Sequence, residues 1–410
     1  MNHVVNKNNI IKKENRNFLV LMFMYFAASL GVLDREIMNQ KNILLIRYVT
    51  IMIGSIYFLN SYRKKYSLEH GGIGVPSKIN SVGLMFIWIL FSISVIVSQS
   101  FNGVFPLEGI FYLIFNPIIY FIVIPRVLNN PEHTIVKASF YASFSYLILS
   151  LLYKPIILGW SYSGITYNPN SIGQLAVQAS VSSFCLLLAS LNTLKSKMKK
   201  SILYFTCFII SISFVFISRS RASFISMLLS VTTIMLMYII HRKVQIKKVA
   251  FAAITFIFIY YVKLREYLHK GVLNKFSSYS GETLLTGRNY IWKRILQDIC
   301  ILGHGSTYFT QEIGVGAHNS IMEIIGVFGI VSGIFLSLFY IGSLIVSVRY
   351  ALLNRKNIYF YVPLGVVMVF FTLSMVESMF GIIGKSMTMV FLNIIGVLMS
   401  SKVKNKQLTE

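Results

Sequence analysis

The chain has 410 residues, with hydrophobic residues at 55%, charged residues at 12% and a formal net charge of +25. Soluble domains carry roughly 25% charged residues, so this composition, with a mean hydropathy of +0.68, excludes a water-facing globule and points to an all-α integral membrane protein. The positive charge argues against nucleic-acid binding by its placement: Lys and Arg gather in short clusters between apolar runs, the pattern of cytoplasmic loops beside an anionic leaflet.

At about 20 apolar residues per span, the sequence predicts a polytopic bundle of about twelve transmembrane helices forming one domain over 1–410. The runs fall at roughly 18–33, 43–60, 82–99, 109–127, 136–153, 171–191, 202–218, 222–240, 249–263, 320–348, 358–376 and 382–400. The stretch from Asn6 to Arg16 is polar and basic, and no small-residue cleavage site follows it. The first run therefore reads as a span with a cytoplasmic lead, not a removed signal peptide.

Every second connection is basic. The clusters are Lys7, Lys12, Lys13 and Arg16; Arg63, Lys64, Lys65 and Lys78; Lys195, Lys197, Lys199 and Lys200; Arg242, Lys243, Lys247 and Lys248; Arg349, Arg355 and Lys356; and Lys402, Lys404 and Lys406. The connections between them are poor in Lys and Arg, except around 218–221 and 263–316. The positive-inside rule then puts both termini in the cytoplasm and requires an even number of spans. Cys185 and Cys207 lie inside apolar runs and Cys300 in an exterior connection, with no metal-binding spacing.

One connection differs from the rest. Residues 264–317 form a large exterior loop, and loops of that length in compact proteins are usually functional. It holds an amphipathic stretch with Ile291, Trp292, Ile295, Leu296 and Ile299 on one side and Lys293, Arg294, Gln297 and Asp298 elsewhere. Gly303 and Gly305 are expected to end it, and such a helix lies along the bilayer surface or caps the bundle. No inverted or tandem repeat is visible, which weighs against a secondary transporter.

Three places carry residues suited to chemistry. Ser218-Arg219-Ser220-Arg221 sets two arginines at the exterior end of a tight hairpin, on the side where basic residues are scarce. They read either as interfacial arginines that snorkel or as a phosphate site, since the guanidinium fork matches phosphate. Arg288 opens the amphipathic helix, and His318 stands where the loop re-enters the membrane. His318 reads as a base or hydrogen-bond donor, or as an interfacial imidazole bonded to a carbonyl. Glu323, about one turn on, reads as a partner for His318 or for a basic group, or as an acid that simply reaches the interface. Asn168-Pro169-Asn170 forms a turn ahead of a span.

In this order, Asn168-Pro169-Asn170, Ser220-Arg221-Ala222, Arg288 with Trp292 leading to Gly303-x-Gly305, and Ala317-His318-Asn319-Ser320 resemble the O-antigen ligase and O-antigen polymerase superfamily. The resemblance runs from about residue 160 to 345; outside it only hydropathy agrees. It implies a type C-like glycosyltransferase fold in the bacterial inner membrane, with an extracytoplasmic active site working without nucleotide-sugar, metal or other cofactor. It further implies a donor glycan on undecaprenyl diphosphate, with Arg221 and Arg288 holding the diphosphate and His318 implicated in transfer. Asn168, Asn170 and Asn319 are the expected glycan contacts. Arg219 is a further basic residue beside the diphosphate, with no assigned counterpart.

The acceptor is then a second lipid-linked repeat unit, as in a polymerase of O-antigen, capsule or exopolysaccharide, or else lipid A-core or protein, as in a ligase. Divergence outside the short motifs favours the polymerase. A flippase or transporter of lipid-linked glycan and a structural subunit without chemistry are readings of other classes. Membrane lipid is the medium of the reaction, a chain-length regulator and a flippase are compatible partners, and nucleic acid is not one.

Overall fold

A computed structural model describes residues 2–69, 81–156, 161–191, 198–242, 287–382 and 384–400. Among them the chain is helical, and the only extended pairing is an isolated bridge between Leu33 and Thr166. The helices are α1 (Asn2–Ser29), α2 (Gln40–Glu69), α3 (Ser81–Phe101), α4 (Leu107–Val127), α5 (Pro131–Tyr153), α6 (Pro169–Leu191), α7 (Met198–Ile217) and α8 (Arg221–Arg242). After the long connection come α9 (Arg288–Gln297), α10 (Ser320–Phe328), α11 (Ile330–Leu353), α12 (Val362–Ser374) and α13 (Ser386–Ser400).

Nine helices among the described residues, α1 to α8 and α11, are long and apolar enough to cross a bilayer, so the chain is a polytopic all-α membrane protein. The shorter apolar α12 and α13 match the runs expected at 358–376 and 382–400. The span expected at 249–263 lies outside the described residues, as do residues 264–286 of the loop expected on the exterior.

The bundle is organised around α6. Each of its residues from Ser171 to Ala189 is buried, which an apolar–polar stripe would not produce. The reason is composition: Gly, Ala and Ser let neighbouring backbones approach closely, and its polar side chains find partners inside. Gln178 donates to Ser139 Oγ at 3.1 Å and to Ser386 Oγ at 3.0 Å, and Cys185 O accepts from Tyr361 at 3.0 Å. The outer helices have the opposite character, exposing Leu45, Ile53, Phe86, Leu152 and Ile345. Such apolar faces suit lipid rather than water.

Two expectations are corrected. The run expected as one span at 320–348 is broken into α10 and α11 by Gly329, whose φ of 91° and ψ of 170° suit glycine alone. The backbone groups this break frees are taken up by residues 300–305: His304 N–H donates to Gly326 O and Gly305 N–H to Val327 O, both at 3.0 Å, and Ile330 N–H donates to Cys300 O at 3.0 Å. Irregular backbone survives at membrane depth only when satisfied in this way. The second correction concerns Gly303 and Gly305. The amphipathic helix α9 ends earlier, with Asp298 as its C-cap. Gly303 instead lets the strap lie against the helix break, where a Cβ would collide with Val327 O.

Candidate functional site

The beginnings of α6, α8 and α10 and the ends of α7 and α12 lie at one end of the bundle. The hairpin between α7 and α8 turns at Arg219, which adopts a left-handed φ of 53°. Ser220 caps α8, its Oγ accepting from Ser223 N–H at 3.4 Å and from Ser223 Oγ at 2.9 Å. Gly173 of α6 seats against this turn: a Cβ there would stand 2.7 Å from Ser223 Oγ and 2.9 Å from Ser218 Oγ. Asn168 caps α6, its Oδ1 accepting from Ser171 N–H at 2.8 Å, with Pro169 at the first helical position. The Asn-Pro-Asn motif thus starts the helix that seats the arginine hairpin. Asn170 lies half-buried in its first turn.

α8 runs antiparallel to α12. Five residues past Arg221, Ser226 Oγ accepts from Thr372 Oγ1 at 2.6 Å, and α12 then gives way to the segment 375–385. Asn319 fixes that segment: it caps α10 by accepting from Ile321 and Met322 N–H at 2.9 and 3.1 Å, while its Nδ2 donates to Met375 O at 3.0 Å. Ser320 adds two bonds, donating to Glu377 O and accepting from Met379 N–H, both at 3.0 Å. Asn319, expected as a glycan contact, is buried, and both polar atoms of its side chain are used in this clamp.

The clamp presents Glu377, which sequence reasoning missed. Its side chain is 10% exposed and stands between the two groups that were expected to act together. Arg288 Nη2 is 3.5 Å from Oε1, and His318 Nδ1 is 4.0 Å from Oε2, an electrostatic contact longer than a hydrogen bond. Burial raises the affinity of Glu377 for a proton, but His318, Lys385 and Arg288 outweigh it and hold the carboxyl below its ordinary pKa. The acid nearest His318 is Glu377; Glu323 interacts with Ser378 and lies within electrostatic reach of the basic group Lys385 and of His318.

His318 itself sits in the left-handed region at φ 49°. Its side chain is about half exposed, while the neighbouring Ala317 is buried and its carbonyl accepts from Trp292 Nε1 at 2.8 Å. That bond ties α9, and with it Arg288, to the start of α10. Arg288 follows Gly287, whose φ of 79° turns the chain into α9.

The structure thus joins Arg288 and His318 through Glu377 and sets the Arg219–Arg221 hairpin at the same end of the bundle. A carboxylate 4.0 Å from one imidazole nitrogen favours the imidazolium electrostatically, and a guanidinium suits an oxyanion or phosphate. No protein-family model matches the chain, and no curated protein matches it.

Proposed function

We propose that this protein is a polymerase of a bacterial surface polysaccharide, moving glycan from an undecaprenyl-diphosphate donor to a lipid-linked repeat unit at the outer face of the cytoplasmic membrane. The observation that carries the proposal is the Arg288–Glu377–His318 constellation at the end of the bundle that also holds Arg219 and Arg221.

Each group has a task in such a transfer. The acceptor hydroxyl attacks the anomeric carbon of the donor, a new C–O bond forms, and the C–O bond to phosphate breaks. The electron pair leaves with the lipid diphosphate, whose growing charge is met by Arg221 and Arg288, cations at any working pH. The hydroxyl proton passes to His318 Nε2. Glu377, 4.0 Å from Nδ1, stabilises the resulting imidazolium by its charge. A single displacement of this kind inverts the anomeric centre.

The test is elongation by purified protein given synthetic undecaprenyl-diphosphate repeat units. A ladder of longer lipid-linked chains is expected, absent in Arg288→Gln and His318→Ala. Transport of lipid-linked sugar across vesicles without elongation would assign the protein to flipping instead. In cells, loss of a polymerase leaves single repeat units on the surface, whereas accumulation of full-length lipid-linked chains would mark a ligase.

A further inference from the structure

Hydrogen bonds do little to support the Glu377 carboxylate. Its Oε1 is buried and accepts no hydrogen bond among the described residues. Arg288 Nη2 stands 3.5 Å from that oxygen, an ion pair rather than a hydrogen bond. A buried charge stripped of its partner is costly, so Glu377 depends on the cations around it. Arg288 is one of these, and transfer gives Arg288 a second task, the donor diphosphate. An arginine that turns to a phosphate leaves behind the carboxylate it faced.

Lys385 is the cation that stays. Its charge reaches both Glu377 and Glu323. Its Nζ donates to Gln174 Oε1 on α6 at 3.0 Å, and its backbone N–H donates to Thr388 Oγ1 on α13 at 3.3 Å. The same hydroxyl donates to Met379 O at 2.6 Å, which ties α13 back to the segment that carries Glu377. Gly384, at a left-handed φ of 63°, presents its carbonyl to Arg47 Nη2 of α2 at 2.6 Å. These bonds come from α2, α6 and α13. Arg288, by contrast, rides on α9, which Trp292 ties to Ala317 O.

The other titratable groups nearby do not take this role. His318 faces Glu377 from the start of α10. Glu108 and Tyr112 of α4 and Tyr340 of α11 lie within reach of Glu323 and carry no positive charge. Among the described residues, Lys385 is the one permanent cation whose charge reaches both Glu377 and Glu323.

We infer that Lys385 is a positioning residue of the transfer site: its fixed charge supports the Glu377 carboxylate when Arg288 leaves it for the donor diphosphate. The inference rests on the proposed transfer reaction. Arg288 then has two partners in turn, and the exchange strands no bare carboxylate beside His318. Lys385 acts through Glu377 and is assigned no contact with substrate.

The test is elongation kinetics of purified full-length protein on synthetic undecaprenyl-diphosphate repeat units, recorded against pH. Lys385→Met is compared in the wild type and in Glu377→Gln. In the wild-type background kcat/KM should fall at least about tenfold, mainly through a higher KM, because Glu377 then holds Arg288 back from the donor. The acid limb of the rate profile should move to higher pH, since a carboxylate that loses a neighbouring cation takes up a proton more readily. In Glu377→Gln, with no carboxylate to support, Lys385→Met should cost less than about threefold more. Should Lys385→Met fail to insert, Lys385→Gln, which can still bond to Gln174, is read in the same two backgrounds. Equal losses in both backgrounds, or an acid limb that stays in place, would mean that Lys385 merely braces the fold and would overturn the inference. Wild-type kinetics in Lys385→Met overturn it too and leave the proposed function standing. No elongation by the wild type removes both.

Discussion

Glu377 Oε1 stands 3.5 Å from Arg288 Nη2 while Oε2 of the same carboxylate faces His318. One buried acid thus sets the geometry of both groups expected to handle the donor. Replacing it with Gln keeps the shape and removes the charge. Glu377→Gln should lower the elongation rate by about 10- to 100-fold and destabilise the protein by roughly 1–3 kcal/mol. Elongation kinetics and thermal melting of the purified variant check both; unchanged kinetics would remove Glu377 from the site.

The same carboxylate makes stability depend on pH. Its pKa is lower in the folded protein than in the unfolded chain, where Glu titrates near about 4.3. The stabilisation is therefore fully present above the ordinary carboxylate range and fades as pH falls through the lower, folded value. Melting temperature recorded from neutral pH down to about 3 should fall more steeply for the wild type than for Glu377→Gln in the acidic range. Parallel curves would refute the linkage.

His318 combines a base with an unusual backbone, and the two can be separated. Its left-handed φ of 49° suits Asn but not a β-branched residue. His318→Asn should insert and melt like the wild type yet lose about 10²- to 10⁴-fold in elongation rate. His318→Val should in addition lose about 1–2 kcal/mol of stability. If Asn restored activity, proton transfer to the imidazole would have to be abandoned.

Arg221 opens α8 beside the capped hairpin. A lysine keeps its charge and loses the planar fork. Arg221→Lys should keep less than about a tenth of the elongation rate with an unchanged inserted fold. Full activity would mean that charge alone is needed there.

Gly329→Ala tests the helix break. A Cβ there would strike Ile301 O, and the residue's φ of 91° disfavours any side chain. The variant should lose roughly 2 kcal/mol or more, read as a lower melting temperature and yield. A melting curve matching the wild type would show that the strap is not rigidly seated.

Hydropathy located the long helices because lipid imposes length and composition together. It missed the break at Gly329, since Val327-Phe328-Gly329-Ile330 stays apolar throughout and a backbone angle leaves no mark on hydropathy. Arg288 and His318 were legible from motif order, and the two asparagines begin helices as N-cap preference requires. Glu377 lies between two apolar runs with no motif around it. One signal was present: no other acid occurs between Glu323 and the terminal Glu410.

The bonds from Asn319 and Ser320 to residues 375–379 carry a mechanical consequence. Imidazole and carboxylate ride on one rigid platform and move as a unit. The arginine arrives on a separate element, tethered by the indole of Trp292 to Ala317 O. Any swing of that amphipathic helix about its tether alters the guanidinium's reach toward the carboxylate and leaves the spacing on the platform as it was.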